Sequence, residues 1–122
     1  FVLLSLGLLS SPAMADSVTI QVESKKSNGD AWDGYGGAPD IAICITGNQG
    51  KVCYPGNENQ ELSDAFCNDS FTCKFSNVIL SSDFKIEVFD IDMGFDDAIG
   101  TGHCRTGQTS CRVGQATVTI SK

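Results

Sequence analysis

The 122-residue chain has a single histidine and no Cys-x-x-Cys pair, although it contains six cysteines. Zinc sites built from cysteine and histidine need closely spaced ligands of these types, so the pattern argues against structural zinc. No segment shows helical periodicity over the roughly 11-residue window that an amphipathic helix needs. A basic patch is also missing, since eight Lys and Arg stand against fifteen Asp and Glu, for a net charge of −7. This balance argues against a nucleic-acid partner.

An apolar run near the beginning of the chain is too short to span a bilayer. It extends from Val2 to Leu9 and is followed by Ala13-Met14-Ala15. This combination is typical of the hydrophobic region and A-x-A cleavage site of a signal peptide. We therefore predict a signal peptide over residues 1–15, truncated at its own start, and one mature domain over residues 16–122. The expected location is secreted or periplasmic.

Six cysteines in a small exported domain predict three disulfides. Their spacing does not settle the connectivity, because many pairings are possible. Cys67–Cys73 and Cys104–Cys111 would each close a short loop, and Cys44–Cys53 would tie neighbouring strands. Zinc ligation by some of these thiols is the alternative.

Short segments with the two-residue alternation of β-strands recur along the mature chain. The clearest covers residues 84–89, whose even-numbered side chains share the face expected to point inward. Residues 41–46 are apolar on both faces, which is typical of an inner strand. A single last strand is predicted over residues 113–120. With glycine-rich connections, this pattern predicts an all-β fold, an antiparallel β-sandwich of seven to eight strands.

The acidic residues concentrate in two stretches of the chain. Seven aspartates account for the whole negative excess, because the eight other acids balance the eight bases. The seven are Asp30, Asp33, Asp40, Asp90, Asp92, Asp96 and Asp97. Carboxylates so close together repel one another, and burying them unpaired costs several kcal/mol each. A bound cation is the simplest reason to keep them together, and oxygen ligands in loops favour calcium. The alternative is a solvated acidic turn.

Most of the seven aspartates lie in two segments. In the first, Asp33 precedes Asp40, which opens the apolar strand Ile41 to Thr46. The second runs from Val88 to Asp92 and continues with Asp97-Ala98-Ile99-Gly100, which gives a strand, Asp-x-Asp, a short loop and Asp-x-Ile-Gly. The two segments resemble the calcium-binding loops of the C2 domain, the calcium-dependent lipid-binding module of protein kinase C and the synaptotagmins. The six cysteines are atypical of that family.

The resemblance implies a C2-like Greek-key sandwich with calcium loops at one end. It implies that Ca²⁺ is held by Asp33, Asp40, Asp90, Asp92 and Asp97, with Asp96 as a further contributor. The backbone carbonyls of Trp32 and Ile91 would complete the ligands. Large side chains beside these ligands are expected to enter a lipid interface or contact a partner, with the alternative that Trp32 or Phe95 folds back over the loop base. These are Trp32, Tyr35, Met93 and Phe95.

The expected function is therefore non-enzymatic, namely calcium-dependent binding to anionic membrane phospholipid. A second hypothesis is a protein-interaction or inhibitor domain in which calcium is only structural and the partner is an extracellular or periplasmic protein. No nucleophile and no base with an orienting group is evident, so an enzyme is not predicted. His103 is expected at the surface and Cys104 in a disulfide. Hydrolysis assisted by calcium at the aspartates is a third hypothesis.

Overall fold

A computed structural model describes residues 16–32, 37–55, 65–91 and 96–121, which form eight β-strands. The strands are β1 (Asp16–Val22), β2 (Ile41–Gly47), β3 (Gly50–Tyr54), β4 (Thr72–Val78), β5 (Asp83–Ile91), β6 (Asp96–Arg105), β7 (Ser110–Val113) and β8 (Ala116–Ser121). They form two four-stranded sheets in the orders β4-β1-β8-β7 and β3-β2-β5-β6. Every strand pair is antiparallel. The predicted antiparallel all-β fold is confirmed.

One hydrophobic core lies between the two sheets. Its side chains come from alternate positions of each strand, as the two-residue period of a β-strand requires. In β5, Phe84, Ile86 and Val88 are buried in this core, which confirms the predicted inward face. Val18 and Ile20 of β1 face them from the other sheet. Each such side chain contributes roughly 1.5–3 kcal/mol when it is fully buried.

Strand β2 is an inner strand, paired with β3 on one side and β5 on the other. Ile41, Ile43 and Ile45 belong to the core, while Ala42 and Cys44 are buried on the opposite face. The prediction of a strand covered on both faces is therefore confirmed.

The predicted three disulfides are confirmed. They connect Cys44 to Cys53, Cys67 to Cys73 and Cys104 to Cys111, the pairing that the sequence suggested without settling it. The first joins residues in direct register on β2 and β3, and the third joins β6 of one sheet to β7 of the other. All six cysteines are in disulfides, so the alternative of zinc ligation by cysteine thiols is wrong. Three disulfides indicate that the protein exists in an oxidising, extracellular type of environment.

The prediction of one uninterrupted last strand over residues 113–120 is wrong. Residues 110–121 form a hairpin of two strands, β7 and β8. Val113 pairs with Ala116, and the two residues between them form the turn. Gly114 has a φ of +57°, a conformation that favours glycine in such two-residue turns. The apolar positions change from odd to even numbers across this turn, which a single uninterrupted strand cannot accommodate.

The β7–β8 turn packs directly on β6. A Cβ atom on Gly100 would overlap the carbonyl group of Val113, and one on Gly114 would lie 2.6 Å from the Cα of Gly100. The Gln115 amide donates to the Ile99 carbonyl at 3.1 Å. The small glycines therefore allow the two segments to touch, and this contact holds the beginning of β6 in place.

The predicted signal peptide, residues 1–15, lies outside the described residues. Among those that are described, no helix is long and apolar enough to cross a membrane.

Candidate functional site

The two acidic stretches meet at one end of the sheet β3-β2-β5-β6. β2 begins at this end, β5 ends there, and β6 begins there. Ile41 of β2 is in register with Asp90 of β5, and the Ile91 amide donates to the Asp40 carbonyl at 2.8 Å. Asp40 and Asp90 are therefore neighbours although they are 50 positions apart in the chain. We call this region, with Asp40, Asp69, Asp90 and Asp97, the acidic end.

Asp90 is the buried carboxylate of the acidic end. It continues the inward alternation of β5 and is only 2 % exposed. Its Oδ1 accepts a hydrogen bond from the Asp40 amide at 2.9 Å. A buried carboxylate requires hydrogen bonds or an opposite charge, because desolvation disfavours the ionised form. The strand pattern thus buries one carboxylate at the acidic end.

Asp97 lies directly opposite Asp90 on the adjacent strand. The register shifts between Val88 and Phe89, so that Ile99 is an extra, bulged residue in β6. Because of this bulge, Asp90 pairs with Asp97. Directly opposed residues of antiparallel strands project to the same face, and like charges in that position destabilise the sheet. Asp97 is one-third exposed and forms an ion pair with Lys26, at 3.3 Å between Nζ and Oδ2.

Asp69 is part of the acidic end and was not predicted from the sequence. Its amide donates to Oδ1 of Asp40 at 2.7 Å, and its own Oδ1 accepts from the Ala38 amide at 2.9 Å. Asp69 has a φ of +49°, a conformation that aspartate tolerates better than most residues. The adjacent disulfide Cys67–Cys73 and the bridge between Ile41 and Cys67 hold this segment against β2. The segment therefore orients the Asp40 carboxylate.

The expectation that Trp32 is an exposed contact residue is wrong. Its side chain is 4 % exposed and belongs to the hydrophobic core, and its Nε1 donates to the Glu23 carbonyl at 2.8 Å. A buried indole needs such an acceptor for its N–H group. Trp32 therefore folds back over the loop base, which is the alternative that the sequence left open.

The remaining predicted site residues are not described. Asp33, Tyr35, Asp92, Met93 and Phe95 lie outside the described residues, and Asp96 is described only as the first residue of β6. Within the described part of the chain, no group of three or more His, Cys, Asp or Glu residues is arranged to hold a metal ion.

His103 is exposed, as predicted, and lies in register with Lys85 near the end of the sheet opposite the acidic end. Among the described residues, the acidic end presents carboxylates and backbone carbonyls, with the Lys26 ammonium group beside Asp97. Oxygen atoms of this kind are the ligands that hard cations such as Ca²⁺ prefer.

Comparison with known proteins does not assign this chain to a family. No protein-family model matches it, and a search of the curated proteins finds no match.

Proposed function

We propose that the protein is a secreted or periplasmic calcium-binding module of the C2 type. The observation that carries this proposal is the register of β2, β5 and β6. It brings Asp40, Asp90 and Asp97 to one end of the sheet.

In this proposal Ca²⁺ is held by Asp33, Asp40, Asp90, Asp92 and Asp97, with Asp96 nearby and with backbone carbonyls completing the ligands. The ion supplies positive charge where Asp90 and Asp97 are directly opposed. Asp69 positions Asp40 through the hydrogen bond from its amide, so that one carboxylate oxygen is oriented before the ion binds. This preorganisation reduces the cost of ordering the ligands.

The proposed target is anionic phospholipid, whose phosphate or carboxylate oxygens would complete the calcium coordination. Tyr35, Met93 and Phe95 remain the proposed contact residues for the lipid interface. Trp32 is excluded from this group because it is buried in the core.

The burial of Trp32 also favours a second candidate function. A protein-interaction or inhibitor domain with purely structural calcium needs no apolar side chains at the loop tips. In that case calcium raises the melting temperature of the domain without creating any affinity for membranes.

A vesicle co-sedimentation experiment separates the two functions. The oxidised domain is incubated with phosphatidylserine-containing vesicles in calcium or in a chelator, and vesicles of phosphatidylcholine alone serve as the lipid control. If the protein binds membranes as proposed, it should sediment with the vesicles only when calcium and anionic lipid are both present. Equal sedimentation in calcium and chelator contradicts the calcium dependence. Calcium-induced thermal stabilisation without sedimentation supports the second candidate.

A further inference from the structure

Lys26 is the positively charged residue that reaches into the acidic end. Its Nζ lies 3.3 Å from Oδ2 of Asp97 and 5.8 Å from the centroid of the Trp32 ring. The Lys26 and Asp97 side chains are 30 % and 33 % exposed. The ammonium group is therefore partly withdrawn from solvent and lies between an aromatic face and a carboxylate, two groups that both attract a cation.

The backbone around Lys26 is built to hold it in this position. The Lys26 amide donates to the Asp30 carbonyl at 2.8 Å, and the Gly29 amide donates to the Lys26 carbonyl at 2.9 Å, which closes a tight turn. Gln115, in the β7–β8 turn, binds both neighbours. Its Oε1 accepts from the Ser27 amide at 3.2 Å, and its Nε2 donates to the Lys25 carbonyl at 2.9 Å. These tertiary contacts fix the backbone at Lys26 and therefore the point from which its side chain extends.

Lys26, Trp32 and Asp97 also line one open cleft of about 230 Å³. Among the described residues that line the cleft, Asp97 supplies the only carboxylate, and the Lys26 ammonium group contacts it. Two cations cannot both be close to Asp97 without repelling each other, because like charges at a few ångströms interact unfavourably even at the effective dielectric of a protein surface.

From this geometry we infer that Lys26 is a built-in counter-ion that competes with calcium for Asp97. The inference rests on the proposed function, since it concerns the regulation of the same site. Without calcium, the ammonium group reduces the repulsion between Asp97 and Asp90 and stabilises the fold. Binding of calcium displaces the ammonium group, which lowers the calcium affinity and sets the concentration at which the site fills.

Calorimetric calcium titration of the oxidised domain tests this inference with a matched pair of variants. Lys26→Met removes the charge and keeps the unbranched stem beside Trp32. Lys25→Met makes the same change of net charge at an exposed side chain one position away. We expect the Kd for calcium to be roughly two- to fivefold lower in Lys26→Met than in Lys25→Met, as expected for the loss of one partly exposed ion pair. Lys26→Arg keeps the charge and should resemble the wild type.

A second measurement uses Trp32, the only tryptophan of the chain. Because the ammonium group lies over its ring, displacement by calcium should alter the tryptophan emission of the wild type more than that of Lys26→Met. Equal Kd values in Lys26→Met and Lys25→Met overturn the role of Lys26, while calcium binding by the wild type would still support the proposed function. If the wild type binds no calcium at millimolar concentration, both the proposed function and this inference fail.

Discussion

The disulfide Cys67–Cys73 should support the calcium site as well as the fold. It holds the segment whose Asp69 amide donates to the Asp40 carboxylate. Replacing both cysteines with alanine opens a loop that the disulfide closes over a sequence separation of 6. The loss of loop-closure constraint corresponds to about 2 kcal/mol of unfolding free energy. For a domain of this size the melting temperature should fall by roughly 10 °C.

Cys104–Cys111 provides the matched control, because its sequence separation of 7 implies nearly the same entropic loss, again about 2 kcal/mol. This disulfide joins β6 to β7 without contacting the segment around Asp69. Removal of Cys67–Cys73 should therefore weaken calcium binding roughly three- to tenfold, which corresponds to about 0.7–1.4 kcal/mol. Removal of Cys104–Cys111 should lower the melting temperature to a similar extent and leave the calcium Kd nearly unchanged.

Thermal unfolding and calcium calorimetry of the two double variants, both below their melting temperatures, measure the two effects separately. If both variants keep the wild-type Kd, the segment around Asp69 does not orient the site. If both lose affinity equally, the effect is one of general stability, and the specific role of Asp69 is refuted.

Three further predictions follow from contacts in the described residues. Gly100→Ala should destabilise the domain by about 1–3 kcal/mol in denaturant unfolding, because its Cβ overlaps the Val113 carbonyl; Gly107→Ala, which meets nothing within 4 Å, is the control and should cost little. Trp32→Phe should lower stability by about 1–3 kcal/mol, since it removes a buried hydrogen-bond donor and part of the core, but should not reduce vesicle binding of the folded protein; a selective loss of vesicle binding would argue that the indole inserts into lipid. Calcium at about 100 times its Kd should raise the unfolding free energy by about 2.7 kcal/mol if it binds only the folded state, and no shift in melting temperature would contradict this linkage.

Much of the fold was predictable because burial alternates locally along the strands. In β5 the same two-residue period that buries Phe84, Ile86 and Val88 also buries Asp90. The cysteine spacing suggested the disulfide pairing that the structure shows but did not settle it, because six cysteines allow many pairings. The β7–β8 hairpin was missed because only Gly114 interrupts an otherwise continuous strand-like pattern, and the change of inward face on either side of it is subtle.

The acidic end was predictable only in part. Asp40 and Asp90 were identified because their clustering with other carboxylates is visible in the sequence. Lys26 and Asp69 were not, because their roles come from contacts with residues 71 and 29 positions away. Such contacts depend on strand register and leave no local pattern. For Trp32 the sequence pattern was misleading. Its position beside acidic residues suggested an exposed side chain, but its indole N–H donates to the Glu23 carbonyl and the ring is buried.

The most direct test of the central claim is a calorimetric calcium titration of the oxidised domain, comparing Asp90→Asn with Asp83→Asn. Both variants remove one carboxylate charge, but Asp90 is buried at the acidic end, whereas Asp83 is exposed and paired with Arg105 at the other end of the same strand. We predict that the wild type and Asp83→Asn bind calcium with similar Kd, and that Asp90→Asn loses most of the affinity while remaining folded. Absence of binding by the wild type at millimolar calcium, or equal binding by both variants, would contradict the account.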